Sequence, residues 1–132
     1  MSQDNLDAVR AVYEEWAKGN LRAGMDLFDP DLLFIPLPEI PHAGRYLGTE
    51  STRDFMRGWM DAWRNLTFTA EDFIEADNSV VVAVRQRGVG QESGTPIDFL
   101  YFSVWTFRGR AVIRLEDFPD RAQALEAVGL TE

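Results

Sequence analysis

The chain has 132 residues, a length that fits one domain spanning 1–132 and buries roughly two-thirds of its unfolded surface. Thirteen Lys and Arg against twenty-two Asp and Glu leave a net charge of −9, which argues against nucleic acid or an anionic membrane as a partner. There is no cysteine and only one histidine, so disulfides, thiol nucleophiles and cysteine-ligated zinc are excluded, and no metal or other cofactor is expected.

The polar, acidic start MSQDNLDAVR resembles no leader and no apolar run reaches membrane-spanning length, so a cytoplasmic protein is expected. Leu6, Val9, Tyr13 and Trp16 then recur at helical spacing, with Asp4 or Asn5 as cap and Gly19 as stop. Asn20 can cap a short second helix carrying Leu21, Met25 and Phe28, ended by Asp29 and Pro30. The three prolines of LFIPLPEIP permit a brief edge strand over Leu33–Ile35 followed by an irregular loop holding His42.

Ser51 with Asp54 resembles a capping box for a third helix that carries Phe55, Met56, Trp59 and Trp63. From Leu66 the hydrophobic period becomes two, and LTFTAEDFIEA, SVVVAVRQRGV, DFLYFSVWTF and AVIRLEDF read as four strands of an antiparallel meander. Asp77 with Asn78, the GQESGTP loop and Arg108-Gly109-Arg110 supply the turns. Asp120, with Gln123 three residues on, opens a closing helix that stops near Gly129. Helices followed by a run of strands make an α+β domain.

In the second of these strands Val80, Val82 and Val84 share one face and Arg85 and Arg87 the other. The chemistry of the third strand pairs naturally with this split. The valine face with Phe102 and Val104 suits a homodimer interface, and the arginine face with Tyr101, Ser103 and Trp105 suits a cavity wall. In the last strand Leu115 and Asp117 share a face with Ile113, opposite Val112, Arg114, Glu116 and Phe118, and periodicity does not say which set points inward.

The segments LDAVRAVYEEWAKGN, LFDPDLLFIP, HAGRYLGTESTRDFMRGW and SVWTFRGRAVIRLEDFPDRAQALEAVGL together resemble the SnoaL-like branch of the nuclear transport factor 2-like superfamily. The resemblance covers essentially the whole chain. It implies a cone of curved antiparallel sheet wrapped around the N-terminal helices, with an interior pocket and a dimer. Its relatives include ketosteroid isomerases, limonene-type epoxide hydrolases and polyketide cyclases. By that resemblance Arg85 matches the arginine that epoxide hydrolases place beside their acids, and Asp117 matches a carboxylate they share with the cyclases. An Arg85–Asp117 ion pair inside the cone follows as an expectation. Departures are as specific: Arg87 stands at the second acid of the hydrolases, Ser103 at a frequent histidine, and Pro36 and Leu37 at the isomerase base. The isomerase tyrosine of the first helix falls nearest Val12, one position from Tyr13.

These readings converge on a small, largely apolar organic ligand. Asp117 and Arg85 are the catalytic candidates. Arg87, Tyr101, Ser103, Trp105, Tyr13, Trp16, Trp59, Trp63 and His42 are the binding candidates. A cofactor-independent isomerase, hydrolase or cyclase reaction fits this set. The alternative is a non-catalytic binding or association domain in which the arginines and the acid form a structural pair and the aromatic residues are ordinary core.

Overall fold

The computed structural model describes residues 2–130. Helix α1 (Ser2–Ala17) is followed by a 3-10 turn (Met25–Leu27), strands β1 (Phe28–Ile35) and β2 (Tyr46–Leu47), and helix α2 (Thr49–Asp61). Strands β3 (Trp63–Ala76), β4 (Ser79–Gly90), β5 (Pro96–Arg108) and β6 (Ala111–Phe118) form the meander, and α3 (Arg121–Ala127) closes the described chain. The six strands lie in the order β2-β1-β6-β5-β4-β3 in one curved, unclosed sheet. All neighbours are antiparallel except β1 and β6, which run parallel, so the sheet is mixed.

The concave face is the main core. From α1, Leu6, Val9, Val12 and Tyr13 pack against Val80, Val82 and Val84 of β4, Trp105 and Phe107 of β5, and Leu32 and Phe34 of β1. Trp105, Val82 and Val84 are completely shielded from solvent. The convex face is partly covered by α3, where Ala124 packs with Val81, Ala83, Phe102 and Val104. Helices therefore lie on both faces.

This arrangement reverses the expected pairing of faces. The β4–β5 turn brings Val89 opposite Pro96, so each even position of β4 faces an odd position of β5. Val80, Val82 and Val84 thereby sit beside Trp105, Ser103 and Tyr101 inside the cone, while Arg85 and Arg87 lie beside Leu100 and Asp98 outside. The valine row cannot be a dimer interface, because it is core. Alternation separates two faces but does not orient them. The strongly apolar one goes inward, since burying two guanidinium groups without partners costs far more than exposing them.

Several local expectations change too. The β1 strand is longer than predicted and interior to the sheet, with the missed β2 at the edge, pairing Leu33 and Phe34 with Leu47 and Tyr46. The expected second helix is reduced to the 3-10 turn, and Phe28 already belongs to β1. Helix α1 runs from Ser2, so neither Asp4 nor Asn5 is its cap. Gly19, with φ 95°, does end it, donating its N–H to the Trp16 carbonyl while Asn20 bonds Glu15. Ser51 lies inside α2 and donates its hydroxyl to the Leu47 carbonyl at 2.6 Å, so no capping box forms. Asp120 caps α3 as predicted, accepting the Gln123 N–H at 2.8 Å.

Gly24 marks the sharpest constraint in the connection between α1 and β1. Its φ is 93°, and a Cβ there would approach Val12 Cγ2 to 2.9 Å. Gly24→Ala is expected to lower stability by about 1–3 kcal/mol, from backbone strain and the forced shift of a buried side chain. Gly94→Ala, with φ 69° and open space around its Cβ, is expected to cost less. Urea unfolding of both variants checks the difference.

Candidate functional site: a carboxyl group in an aromatic cavity

The cavity at the open side of the core is small, about 50 Å³, and its wall is almost wholly apolar. Tyr13 and Trp16 from α1, and Phe55, Met56 and Trp59 from α2, form one side. Phe34, Leu37 and Ile40 enter from β1 and the loop after it, and Phe68, Phe99, Tyr101 and Trp105 from the sheet. The lining residues with polar side-chain atoms are Tyr13, Tyr101, Ser103, Asp117, Gln86 and the tryptophans Trp16, Trp59 and Trp105.

Strand register explains why Asp117 points inward. Ser103 lies directly opposite Asp117, and Trp105 opposite Leu115, so these four share the concave face. A bulge between Thr106 and Phe107 then changes the phase of β6: Val112, not Ile113, turns into the core and is fully buried. Simple alternation through β6 therefore fails at this one point.

The polar groups form a short chain. Ser103 Oγ donates to Asp117 Oδ1 at 2.5 Å. Trp105 Nε1 donates to the Tyr13 hydroxyl at 3.2 Å, and Tyr101 lines the same wall beside Ser103. Burial raises the Asp117 carboxyl to about 7; the Ser103 hydrogen bond opposes that rise and the negative charge of Glu116 adds to it. Burial, assisted by the charge of Asp117, also pushes both phenols above their ordinary value. They consequently stay protonated as donors whenever Asp117 titrates. Asp117 also lines an outer cleft with Pro38, Glu39 and Arg45, which gives its proton a route to solvent.

Seven of the eleven sequence candidates meet at this wall: Asp117, Tyr101, Ser103, Trp105, Tyr13, Trp16 and Trp59. The other four do not. Arg85 donates Nε to Glu71 Oε2 at 2.9 Å and Nη1 to Asp98 Oδ1 at 3.0 Å, and Arg87 donates Nε to Asp98 Oδ2 at 3.1 Å, all on the convex face. The expected Arg85–Asp117 pair is absent, and Asp98 is instead held below the usual carboxylate range by Arg85 and Arg87. Trp63 is the first residue of β3 rather than part of α2; it packs on Trp59 at 5.4 Å but does not reach the cavity. His42 is exposed, with φ 63°, and lines neither the cavity nor the outer cleft; its backbone carbonyl accepts from the Tyr46 hydroxyl.

Gln86 is the functional candidate that sequence reasoning missed. It is buried on the valine face of β4, and its Oε1 accepts the Trp59 indole N–H at 2.5 Å. A lone amide continuing a row of valines was the available signal, because a buried amide requires a partner. Among the described residues no group of three His, Cys, Asp or Glu side chains is placed to hold a metal ion. Nor is any described helix long and apolar enough to cross a membrane.

Comparison with solved structures places this geometry among known folds. An NTF2-like protein of unknown function from Burkholderia pseudomallei superposes with a TM-score of 0.77 at 21% identity, covering 96% of this chain and 98% of that one. A hypothetical protein with a ketosteroid isomerase-like fold from Catenulispora acidiphila, solved in complex with trimethylamine, gives 0.72 at 18% identity, covering 94% and 93%. A candidate SnoaL-like polyketide cyclase from Jannaschia sp. CCS1 gives 0.77 at 18% identity, covering 99% and 95%. These likenesses concern the fold. Comparison with curated proteins returns no match. The family model described as SnoaL-like domain matches residues 9–115, from within α1 through α2 and most of the sheet, and the chain thus belongs to the SnoaL-like domain family.

Proposed function

We propose that this protein is an acid–base enzyme of the isomerase, hydrolase or cyclase type, acting without a cofactor on a small, largely apolar substrate. The observation that carries this reading is a single carboxyl group, Asp117, set into an aromatic cavity and restrained by one hydroxyl at 2.5 Å. With its pKa near 7, Asp117 populates both protonation states at neutral pH and can take or return a proton without a strong acid or base. In its ionised form it would remove a proton from a carbon next to a carbonyl. The oxygen that becomes negative would meet the phenol donors Tyr13 and Tyr101, and the same carboxyl would return its proton at another carbon. Arg85 and Arg87 have no part in this chemistry, since they lie on the other face of the sheet.

The small volume favours one competing reading, a non-catalytic binding or association domain in which the cavity is merely loosely packed core. The two readings differ in the effect of Asp117. Assayed against a panel of small cyclic ketones, epoxides and activated esters, the enzyme reading expects turnover on at least one class. Asp117→Asn should lower kcat by roughly 10²–10⁴-fold. Absence of turnover across the panel, or turnover that survives Asp117→Asn, supports the non-catalytic reading.

Titration supplies a measurement independent of substrate. Carbon-13 NMR of the aspartate carboxyls is expected to show Asp117 titrating near 7. Ser103→Ala should raise that value further, because the serine hydrogen bond favours the ionised form. The sign for stability follows. The folded carboxyl holds its proton more tightly than an unfolded one with a pKa near 3.8, so this contribution is full below about 4 and is lost as pH rises through about 7. Asp117→Asn, neutral throughout, should remove the decline and be relatively more stable at pH 8 than at pH 4.

A homodimer through the convex face is part of the same proposal. Beyond α3 that face carries Leu100, 37% exposed, beside the network of Arg85, Glu71, Asp98 and Arg87. Sedimentation at micromolar concentration should give twice the chain mass, and Leu100→Glu should shift the protein to monomer. A wild-type monomer overturns the dimer.

A further inference from the structure

Helix α2 separates two spaces. Phe55 and Trp59 face the interior cavity, whereas Thr52, Met56 and Met60, four residues apart, face an outer groove of about 740 Å³. The far wall of the groove is the segment between α1 and β1, through Leu21 and Met25, together with Phe28 at the start of β1. That segment is tied down by Trp16, whose Nε1 donates to the Ala23 carbonyl at 3.0 Å. Three of the four methionines of the chain line this one groove. Their unbranched, polarisable side chains make an apolar bed that adapts to irregular guests. Trp16, Phe34, Met56 and Leu115 border both spaces and form the partition between them.

The charge at the rim runs against that of the protein. In a chain with net charge −9, the groove is bordered by Arg22, Arg53 and Arg57, with Asp61 as its one acidic lining residue. Arg57 lies 3.7 Å from Asp54. Among the described residues neither Arg22 nor Arg53 has a carboxylate partner. Two unpaired guanidinium groups above an apolar floor complement a guest with an apolar body and one anionic end.

We propose that the groove between α2 and the α1–β1 connection binds an amphipathic organic carboxylate, with its apolar body over Met25, Met56 and Met60 and its carboxylate at Arg22 and Arg53. The further role of this groove, as the part of the substrate site that the cavity is too small to supply, rests on the acid–base reading. A cavity of about 50 Å³ holds only a few water-sized volumes, well below the roughly 300–1,000 Å³ typical of small-molecule sites. A substrate whose reacting atoms reach Asp117 therefore needs the adjoining groove for the rest of its body, with the Met56 side chain as the movable part of the partition.

The test is a titration of protein carrying carbon-13 methyl-labelled methionines with decanoate, and with decylamine and decanol as matched cationic and neutral probes. Decanoate is expected to shift the Met25, Met56 and Met60 methyl signals. The double variant Arg22→Ala with Arg53→Ala, both exposed and structurally tolerant positions, should weaken decanoate roughly five- to tenfold and leave decanol unchanged. Equal affinity for decanoate and decylamine, unchanged decanoate affinity in the double variant, or no shift of these methyl signals overturns the proposal. Asp117→Asn separates this from the catalytic reading. Turnover lost in Asp117→Asn with decanoate indifferent to the arginines sinks the groove alone. Arginine-dependent decanoate binding without any Asp117-dependent turnover sinks the acid–base reading and leaves the groove as a binding site.

Discussion

The inward packing of one row of valines determines most of this structure. Val80, Val82 and Val84 of β4 are covered by α1 and neighbouring strands to near-complete exclusion of water. Once that row faces inward, the β4–β5 register turns Tyr101, Ser103 and Trp105 inward, and the β5–β6 register does the same for Asp117. A carboxyl group thus reaches an aromatic interior because its strand is two registers removed from the strand that carries the inward valine row. Burial of the valines offsets a cost that the acid could not bear alone, and the raised proton affinity of Asp117 is the residue of that cost.

The opposite face shows the complementary solution. Arg85 and Arg87 sit where water reaches them, and each has a carboxylate partner from a neighbouring strand. Their neighbours Val81 and Ala83 are covered by α3 instead. One strand therefore changes character along its length on its convex side, apolar beneath the helix and charged beyond it. That change is visible in VVVAVRQRG, but the segment does not say that a helix more than thirty residues later marks the boundary.

Local features of the chain were legible where local physics decides them. The meander, its turns, the Asp120 cap and the end of α1 at Gly19 follow from period, turn chemistry and capping. Orientation was not legible, because both faces of β4 and β5 contain apolar residues and which is inward depends on cross-strand register across the GQESGTP loop. The choice of cavity wall by chemical mixture led Arg85 and Arg87 to the wrong side while placing Tyr101, Ser103 and Trp105 correctly. Gln86 escapes sequence reasoning for the same reason, since by composition its valine row suits an outer face. Trp63 continued the helical spacing of Phe55, Met56 and Trp59, yet α2 ends at Asp61 and the strand begins two residues later. The parallel pairing of β1 with β6 has no short-range signal at all.

That parallel pair bears on how the cavity comes into being during folding. Strands β3 to β6 are joined by short connections, so their contacts close small loops and can form on the microsecond scale of hairpins. The contact of Phe34 with Leu115 spans some eighty residues of chain and closes a far larger loop. It belongs to the late, slow class of contacts. Phe34 and Leu115 are also cavity lining. A chain that has completed its meander but docked neither α1 nor β1 would already hold Ser103 opposite Asp117, yet without the burial that raises the proton affinity of the carboxyl. The chemistry of the site is consequently a property of these long-range closures, the docking of α1 on β5 included, and not of the strands that carry its residues.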